Sequence, residues 1–130
     1  APNPDSYLGE GLTLQRSLAD YLHELLAAKG LKRADVYRAS GLNSTVVYDA
    51  FSGKSRLGRD NALMVAFGMG CSLRETQRLL KLAGAAELYP KVRRDAIIIW
   101  CIDRGMSREA CDDELWRFGE KTLLGTCPLQ

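Results

Sequence analysis

The chain is 130 residues long, with 46% hydrophobic and 26% charged residues, as in an ordinary globular domain. Its net charge of +2 is too small to indicate a partner, but the distribution is uneven. Residues 31–60 hold six Lys/Arg against three acids, whereas residues 1–30 and 105–130 are each net −2. This basic middle suits a local contact with an anion. The longest aliphatic run, AIIIWCI, is too short to span a bilayer.

The cysteine and histidine content argues against a metal site. The four cysteines show no CxxC spacing, and His23 is the only histidine, so we expect no zinc, no cofactor and free thiols. The sequence also contains no phosphate loop, nucleophile elbow or dinucleotide fingerprint, and we therefore expect no enzyme activity. The start, APNPDSYLGEG, does not resemble a signal peptide, so we expect a cytoplasmic protein.

Helical spacing of apolar residues recurs along the whole chain, and no alternating strand pattern interrupts it. Asn43, Ser72 and Ser107 are predicted N-caps, and Pro90 suits the first turn of a helix. In chain order, the predicted helices are one carrying Leu14 to Leu26 and stopped by Gly30, then Arg33 to Ala39, Asn43 to Ser52, Arg59 to Met69, Leu73 to about Gly84, Lys91 to Arg104, and Arg108 to Gly119. The predicted fold class is all-α with short connections.

The predicted helices fall into two groups. Residues 1–11 read as a flexible arm, residues 12–83 as a five-helix unit, and residues 84–130 as a C-terminal helical pair. The first helix of the pair is apolar nearly all round, so it must be buried against something. It could close over the first unit or form a symmetric dimer interface, and the sequence leaves both open. The suggested dimer surface comprises Ile98, Trp100, Leu115, Trp116 and Phe118.

The stretch SGLNSTVVYDAFSGK, residues 40–54, combines two glycine turns with a short amphipathic helix. On a helix of 3.6 residues per turn, one face is apolar and predicts a core contact. The other face is polar and slim, with Tyr48 as its only bulky member. The apolar face comprises Val46, Val47, Ala50 and Phe51, and the polar face Ser44, Thr45, Tyr48, Asp49 and Ser52.

Residues 14–80 resemble the lambda-repressor-like helix-turn-helix domain of the Cro and Xre type. The matching features are the KGL at Lys29, the spacing from Gly41 to Gly53, and the VAFGMGCSL that begins at Val65. The resemblance implies a five-helix domain in which residues 43–52 form the recognition helix, docked in the major groove of double-stranded DNA. Departures from the family pattern include Tyr37 and Phe51, where small and polar residues are usual.

The resemblance also implies roles for individual residues. Ser44, Thr45 and Asp49 occupy positions that read base edges, and Arg33 and Asn43 occupy positions that grip phosphate. Basic residues that follow the recognition helix would make further phosphate contacts. The complete implied interface is Arg33, Asn43, Ser44, Thr45, Tyr48, Asp49, Lys54, Arg56 and Arg59. We therefore predict a sequence-specific DNA-binding transcriptional regulator that pairs its half-sites as a homodimer through the C-terminal helices.

Two alternatives remain open from the sequence. The same scaffold could serve as a protein–protein interaction module, such as an adaptor or antitoxin-like inhibitor, with Tyr48 in the contact. The second alternative is a regulator that binds an effector in a pocket between its two halves. Cys101 and Cys111 flank the last helix connection and could lie close together, although inert buried thiols are the default.

Overall fold

The computed structural model describes residues 18–128, which form seven helices and contain no strand. The predicted all-α class is therefore confirmed for this range, while the arm at residues 1–11 and the position of Leu14 lie outside it. The helices are α1 at residues 18–29, α2 Arg33–Ser40, α3 Ser44–Phe51, α4 Arg59–Gly68, α5 Leu73–Leu82, α6 Arg93–Asp103 and α7 Arg108–Arg117. None of these helices is long and apolar enough to cross a membrane.

The predicted N-caps set the starts of three helices. The side chain of Asn43 accepts a hydrogen bond from the N–H of Val46 at 2.9 Å, which satisfies one free donor of the first turn of α3. Ser72 and Glu75 form a reciprocal capping box at the start of α5, at 3.2 and 2.8 Å. Ser107 accepts from the N–H three residues later at the start of α7. All three predicted caps are confirmed.

Helix α6 begins later than the sequence predicted. Pro90 does not open the helix, because a turn closed by the N–H of Val92 and the carbonyl of Tyr89, at 3.0 Å, precedes it. The carboxylate of Asp95 accepts the N–H of Tyr89 at 3.0 Å and so holds this turn against the first turn of α6. The predicted start at Lys91 is therefore wrong by two residues, because a tertiary contact overrides the local signal.

Helices α2 and α4 cross at Gly68. A Cβ at this position would lie 2.9 Å from the carbonyl oxygen of Val36 and 3.1 Å from the backbone nitrogen of Ser40. Only glycine permits that approach, and it fixes the angle at which α2 lies on the core. Because α3 follows α2 after a short turn, the crossing also sets the position of α3.

The C-terminal pair α6–α7 closes over the first unit. Ile98 and Leu115 are fully buried in a core that is continuous with that of α1 to α5. The sequence-based assignment of these two residues to a dimer surface is therefore wrong, because the core of the same chain covers them. Trp100, Trp116 and Phe118 remain exposed, as a dimer surface would require.

Candidate nucleic-acid interface

Helix α3 is held from behind by its apolar face. Val47, Ala50 and Phe51 are buried, as predicted, while Val46 is half-buried at the edge of the core. His23 of α1 donates from Nε2 to the carbonyl oxygen of Phe51 at 2.8 Å, and its ring meets the Phe51 ring edge to face at 5.2 Å. The histidine satisfies a carbonyl that the helix end leaves free. The back of α3 is thus fixed along its length.

The entry to α3 is a tight, hydrogen-bonded turn. Gly41 adopts a φ of +83°, in the left-handed region that glycine favours. The buried hydroxyl of Ser40 donates to the carbonyl of Tyr37 at 3.1 Å and accepts the N–H of Leu42 at 3.2 Å. Asn43 uses its side-chain oxygen as the cap, and the residue itself is exposed. Its amide group and the first N–H groups of α3 therefore form a partially positive end that faces solvent.

The exit from α3 points two further cations outward. The N–H of Lys54 bonds the carbonyl of Asp49 at 2.9 Å, across Gly53 with its φ of +75°. The hydroxyl of Ser52 donates to the same carbonyl at 3.1 Å. This closure places Lys54 directly after the helix, and both Lys54 and Arg56 are exposed.

The outer face of α3 is polar apart from one ring. Thr45 is exposed, and Ser44, Tyr48 and Asp49 are half-buried. The ring of Tyr48 lies under the guanidinium of Arg33, 5.0 Å from the ring centroid to Cζ, and meets the ring of Tyr37 edge to face at 5.9 Å. Of the predicted contact residues, Arg33 of α2 and Tyr48 of α3 are thus brought together.

Sequence reasoning left Tyr37 out of this surface. Tyr37 lies four residues after Arg33, a spacing that puts both on one face of α2, and that spacing is the signal that could have found it. Lys32 precedes α2 and is exposed. Its backbone N–H donates to the carboxylate of Asp35 at 2.9 Å, so Asp35 supplies part of the cap that a lysine side chain cannot.

Four basic residues close to α3 form no ion pair in the described part of the chain. Among residues 18–128, Lys32, Arg33, Lys54 and Arg56 make no ion pair with any carboxylate. The basic residues that do form ion pairs are Lys29, Arg38, Arg59, Arg93, Arg94, Arg108, Arg117 and Lys121. Arg74, Arg78 and Lys81 on α5 are also unpaired, but they share their surface with Glu24, Glu75 and Glu87. Near α3 the positive charge is less compensated.

Arg59, in contrast, is directed away from α3. Its guanidinium donates twice to Asp95, at 3.1 and 2.8 Å, and also to the carbonyl oxygens of Ala86 and Glu87. Burial by itself raises the pKa of Asp95, but the hydrogen bonds from Arg59 and Tyr89 and the nearby positive charges outweigh it and hold that pKa below its usual value. Arg59 therefore joins the two units, and we leave it out of the interface proposed below.

A buried arginine from α7 supports the turn before α3. The guanidinium of Arg108 lies where a side chain at position 41 would be, with its Nε 2.9 Å from the Cβ that Gly41 lacks. It is held by the carboxylate of Asp112 at 2.7 Å, which also accepts the N–H of Leu123 at 2.6 Å. The C-terminal segment thus reaches the helix connection of the candidate interface through a continuous set of contacts.

Burial and hydrogen bonding set the state of the cysteine thiols: the hydrogen bond from Cys111 lowers the pKa of the Cys101 thiol, which is itself buried. All four are free thiols, and Cys71, Cys101 and Cys111 are buried. Burial and the charge of Glu75 raise the pKa of Cys71 to about 12. A hydrogen bond from Cys111 to Cys101, followed by burial, raises the pKa of Cys111, so these two thiols do lie together. In the described part of the chain, no group of His, Cys, Asp and Glu side chains could hold a metal ion.

A cavity of about 460 Å³ lies between the two units, beside Phe67, Cys71, Ile102 and Met106. Its size is within the range of small-molecule sites. Comparison of the chain with models of protein families, with curated proteins and with solved structures finds no match. The arrangement of residues around α3 is therefore the basis for a functional proposal.

Proposed function

We propose that the chain is a sequence-specific DNA-binding transcriptional regulator that places α3 in the major groove of double-stranded DNA. The observation that carries the proposal is a set of cations that form no ion pair in the described part of the chain: two at the start of α2, beside Tyr48 of α3, and two just after α3. Lys32 lies just before α2 and Arg33 is its first residue, whereas Lys54 and Arg56 follow α3. Cations that flank a recognition helix suit contacts with the phosphates of the groove that the helix enters. The resemblance to lambda-repressor-like domains supports the same orientation.

Phosphate contacts would also come from the start of α3. The capped N-terminus directs free N–H groups outward, and the amide nitrogen of Asn43 remains available because the side-chain oxygen makes the cap. Arg33 would donate to phosphate while its guanidinium rests on the ring of Tyr48. That stacking holds the guanidinium in place before DNA arrives, which reduces the entropy lost on binding.

Base reading would fall to the short polar side chains of α3. Ser44 and Thr45 lie in its first turn, where recognition helices approach base edges most closely. Asp49 is the one carboxylate of α3, and it makes no ion pair within the described residues. A carboxylate repels phosphate and accepts from the N4 amino group of cytosine, so Asp49 would favour cytosine at one position of the site.

Fluorescence anisotropy of a labelled mixed-sequence duplex, measured at several salt concentrations, tests the proposal. We expect log K to fall linearly with log salt, by about 0.9 for each phosphate neutralised. Arg33→Ala and Lys54→Ala should each make this slope shallower by about one contact. Lys81→Ala is the matched control, because Lys81 is also exposed and unpaired but lies on α5, and its slope should equal that of the wild type.

A protein partner is the second candidate. Its support is the cluster of Arg33, Tyr37 and Tyr48, because arginine and tyrosine are enriched at the energetic centres of protein interfaces. The same titration separates the two candidates. Absence of binding at low salt, from protein shown to be folded by circular dichroism, would contradict the DNA proposal and leave this cluster as a protein-contact surface.

A further inference from the structure

Within the described residues, the large exposed hydrophobic side chains lie on the C-terminal pair and its flanks. Six large hydrophobic side chains are exposed within residues 18–128, and all six lie between residues 89 and 124. They are Tyr89, Val92, Trp100, Trp116, Phe118 and Leu124. The unit formed by α1 to α5 exposes no comparable side chain in the described range. A concentration of apolar surface in one part of a chain marks an interaction site.

Part of this surface is an open groove between α6 and α7, with a volume of about 520 Å³. Ala96, Ile97 and Trp100 line one wall at the spacing of a single helix face, and Phe118 lines the other. Arginines rest on the two aromatic rings: Arg104 on Trp100 at 4.1 Å and Arg117 on Phe118 at 4.3 Å. Tryptophan and arginine in an apolar depression are the composition of a protein interface.

We propose that a second copy of this chain fills the groove, so that two α6–α7 hairpins form a four-helix bundle. The two helices run antiparallel, because Arg93 at the start of α6 pairs with Glu120, just after α7, at 3.0 Å, while a short turn joins their other ends. Two antiparallel helices with an open apolar groove between them are half of such a bundle. An identical hairpin supplies the missing half.

The charges at the groove fit a copy of the same surface. Arg93 and Arg117 lie at one end of the hairpin, and so do their acceptors Glu120 and Glu114. The two arginine side chains are 63% and 64% exposed, so both can exchange acceptors without leaving the surface. A twofold axis along the helices brings this end of both copies together, and each Arg93 then reaches Glu120 of the second copy.

The size of the groove sets the expected strength of self-association. Each helix is about 16 Å long and about 10 Å across, so the face of the pair covers roughly 300 Å². Stable interfaces bury about 800 Å² on each copy, so this bundle is a weak dimer with a smaller interface than a stable complex has. The inference deepens the proposed function, because a dimer presents two α3 helices to half-sites about 34–36 Å apart.

Sedimentation equilibrium in the absence of DNA tests the dimer independently of the proposed function. Two tryptophans give a matched pair of variants, because Trp100 is 43% exposed inside the groove and Trp116 is 49% exposed beside Thr122 and Leu124, outside it. Trp100→Ala should raise the dissociation constant at least about tenfold, and Trp116→Ala should leave it unchanged. Phe118→Ser, in the same groove, repeats the test if Trp100→Ala is unstable.

A charge exchange then tests the twofold arrangement. Arg93→Glu and Glu120→Arg should each weaken self-association, because like charges then face each other across the axis. An equimolar mixture of the two variants should form a heterodimer. In the mixed dimer, position 93 of each chain and position 120 of the other chain carry opposite charges. A wild type that stays monomeric at several hundred micromolar, equal effects of the two tryptophan variants, or no heterodimer in the mixture would overturn the proposal.

Failure of the dimer and failure of the DNA proposal are distinguishable. A Trp100→Ala monomer that still binds the duplex with a steep salt dependence would retain the role of α3. A wild type that dimerises but does not bind DNA would retain the bundle.

Discussion

The carboxylate of Asp95 accepts two hydrogen bonds from the guanidinium of Arg59, which joins the start of α4 to the start of α6. The acid is almost fully buried, with 5% of its side chain exposed, and it also holds the N–H of Tyr89. This arrangement fixes the C-terminal pair on the unit that carries α3.

Removing the acid should destabilise the fold. Asp95→Ala leaves a guanidinium and a backbone N–H without their acceptor, which should lower the free energy of unfolding by about 2–4 kcal/mol, less than for a fully buried pair because Arg59 is partly exposed. Urea unfolding measures the change. Asp113→Ala, which removes an exposed acid of α7 that forms no ion pair, should stay within about 0.5 kcal/mol of the wild type. Equal effects would contradict the assigned role.

The same carboxylate makes stability depend on acid pH. The pKa of Asp95 is lowered, and so is that of Glu75, where the Ser72 N–H and Lys29 outweigh the effect of burial. In unfolded chains the pKa values of Asp and Glu are about 3.9 and 4.3. Their contribution is therefore complete above those values and is lost as the pH falls through the lower folded pKa values. The urea concentration at the unfolding midpoint should decrease as the pH is lowered below about 4. It should decrease less steeply in Asp95→Asn.

The helices were predictable because their signals are local. Asn43, Ser72 and Ser107 each cap a helix with a bond to a residue three positions later, and such a bond can be read from adjacent sequence. The pairing of Arg59 with Asp95 joins residues 36 positions apart, and no periodicity reveals it. For the same reason the sequence placed the start of α6 too early.

The candidate site was predictable to the level of a helix face, but not of each side chain. The burial of Phe51 and the exposure of Thr45 follow from the 3.6-residue period of α3. Which cations remain free depends on the acids that tertiary structure brings near them. Sequence spacing could not separate Lys54, which is unpaired, from Arg59, which is tied to α6. The burial of Ile98 and Leu115 against other helices was invisible for the same reason.

The crossing of α2 and α4 should not accept a methyl group. Gly68→Ala forces a Cβ against the carbonyl oxygen of Val36, and we expect a loss of about 1–3 kcal/mol in unfolding free energy despite the better helix propensity of alanine. Gly58→Ser is the control, because Gly58 caps α4 in open space, and serine should change stability by only a few tenths of a kcal/mol. A stabilising Gly68→Ala would contradict the close approach.

Two substitutions at Asn43 separate its cap from its proposed phosphate contact. Asn43→Asp keeps an acceptor for the N–H of Val46, so stability should be nearly unchanged, while the added negative charge should weaken DNA binding most at low salt. Asn43→Ala loses the cap and should cost about 1 kcal/mol in thermal or urea unfolding. If Asn43→Asp binds the duplex as well as the wild type, the start of α3 does not face phosphate.

The most direct test of the central claim is an amide NMR titration of the isotope-labelled protein with a duplex at low salt. The proposal predicts shift changes centred on both ends and the outer face of α3, at Asn43, Thr45, Ser52 and Lys54, with further changes at Arg33. Shift changes confined to other faces of the chain, or no change from a folded protein, would contradict the placement of α3 in the groove.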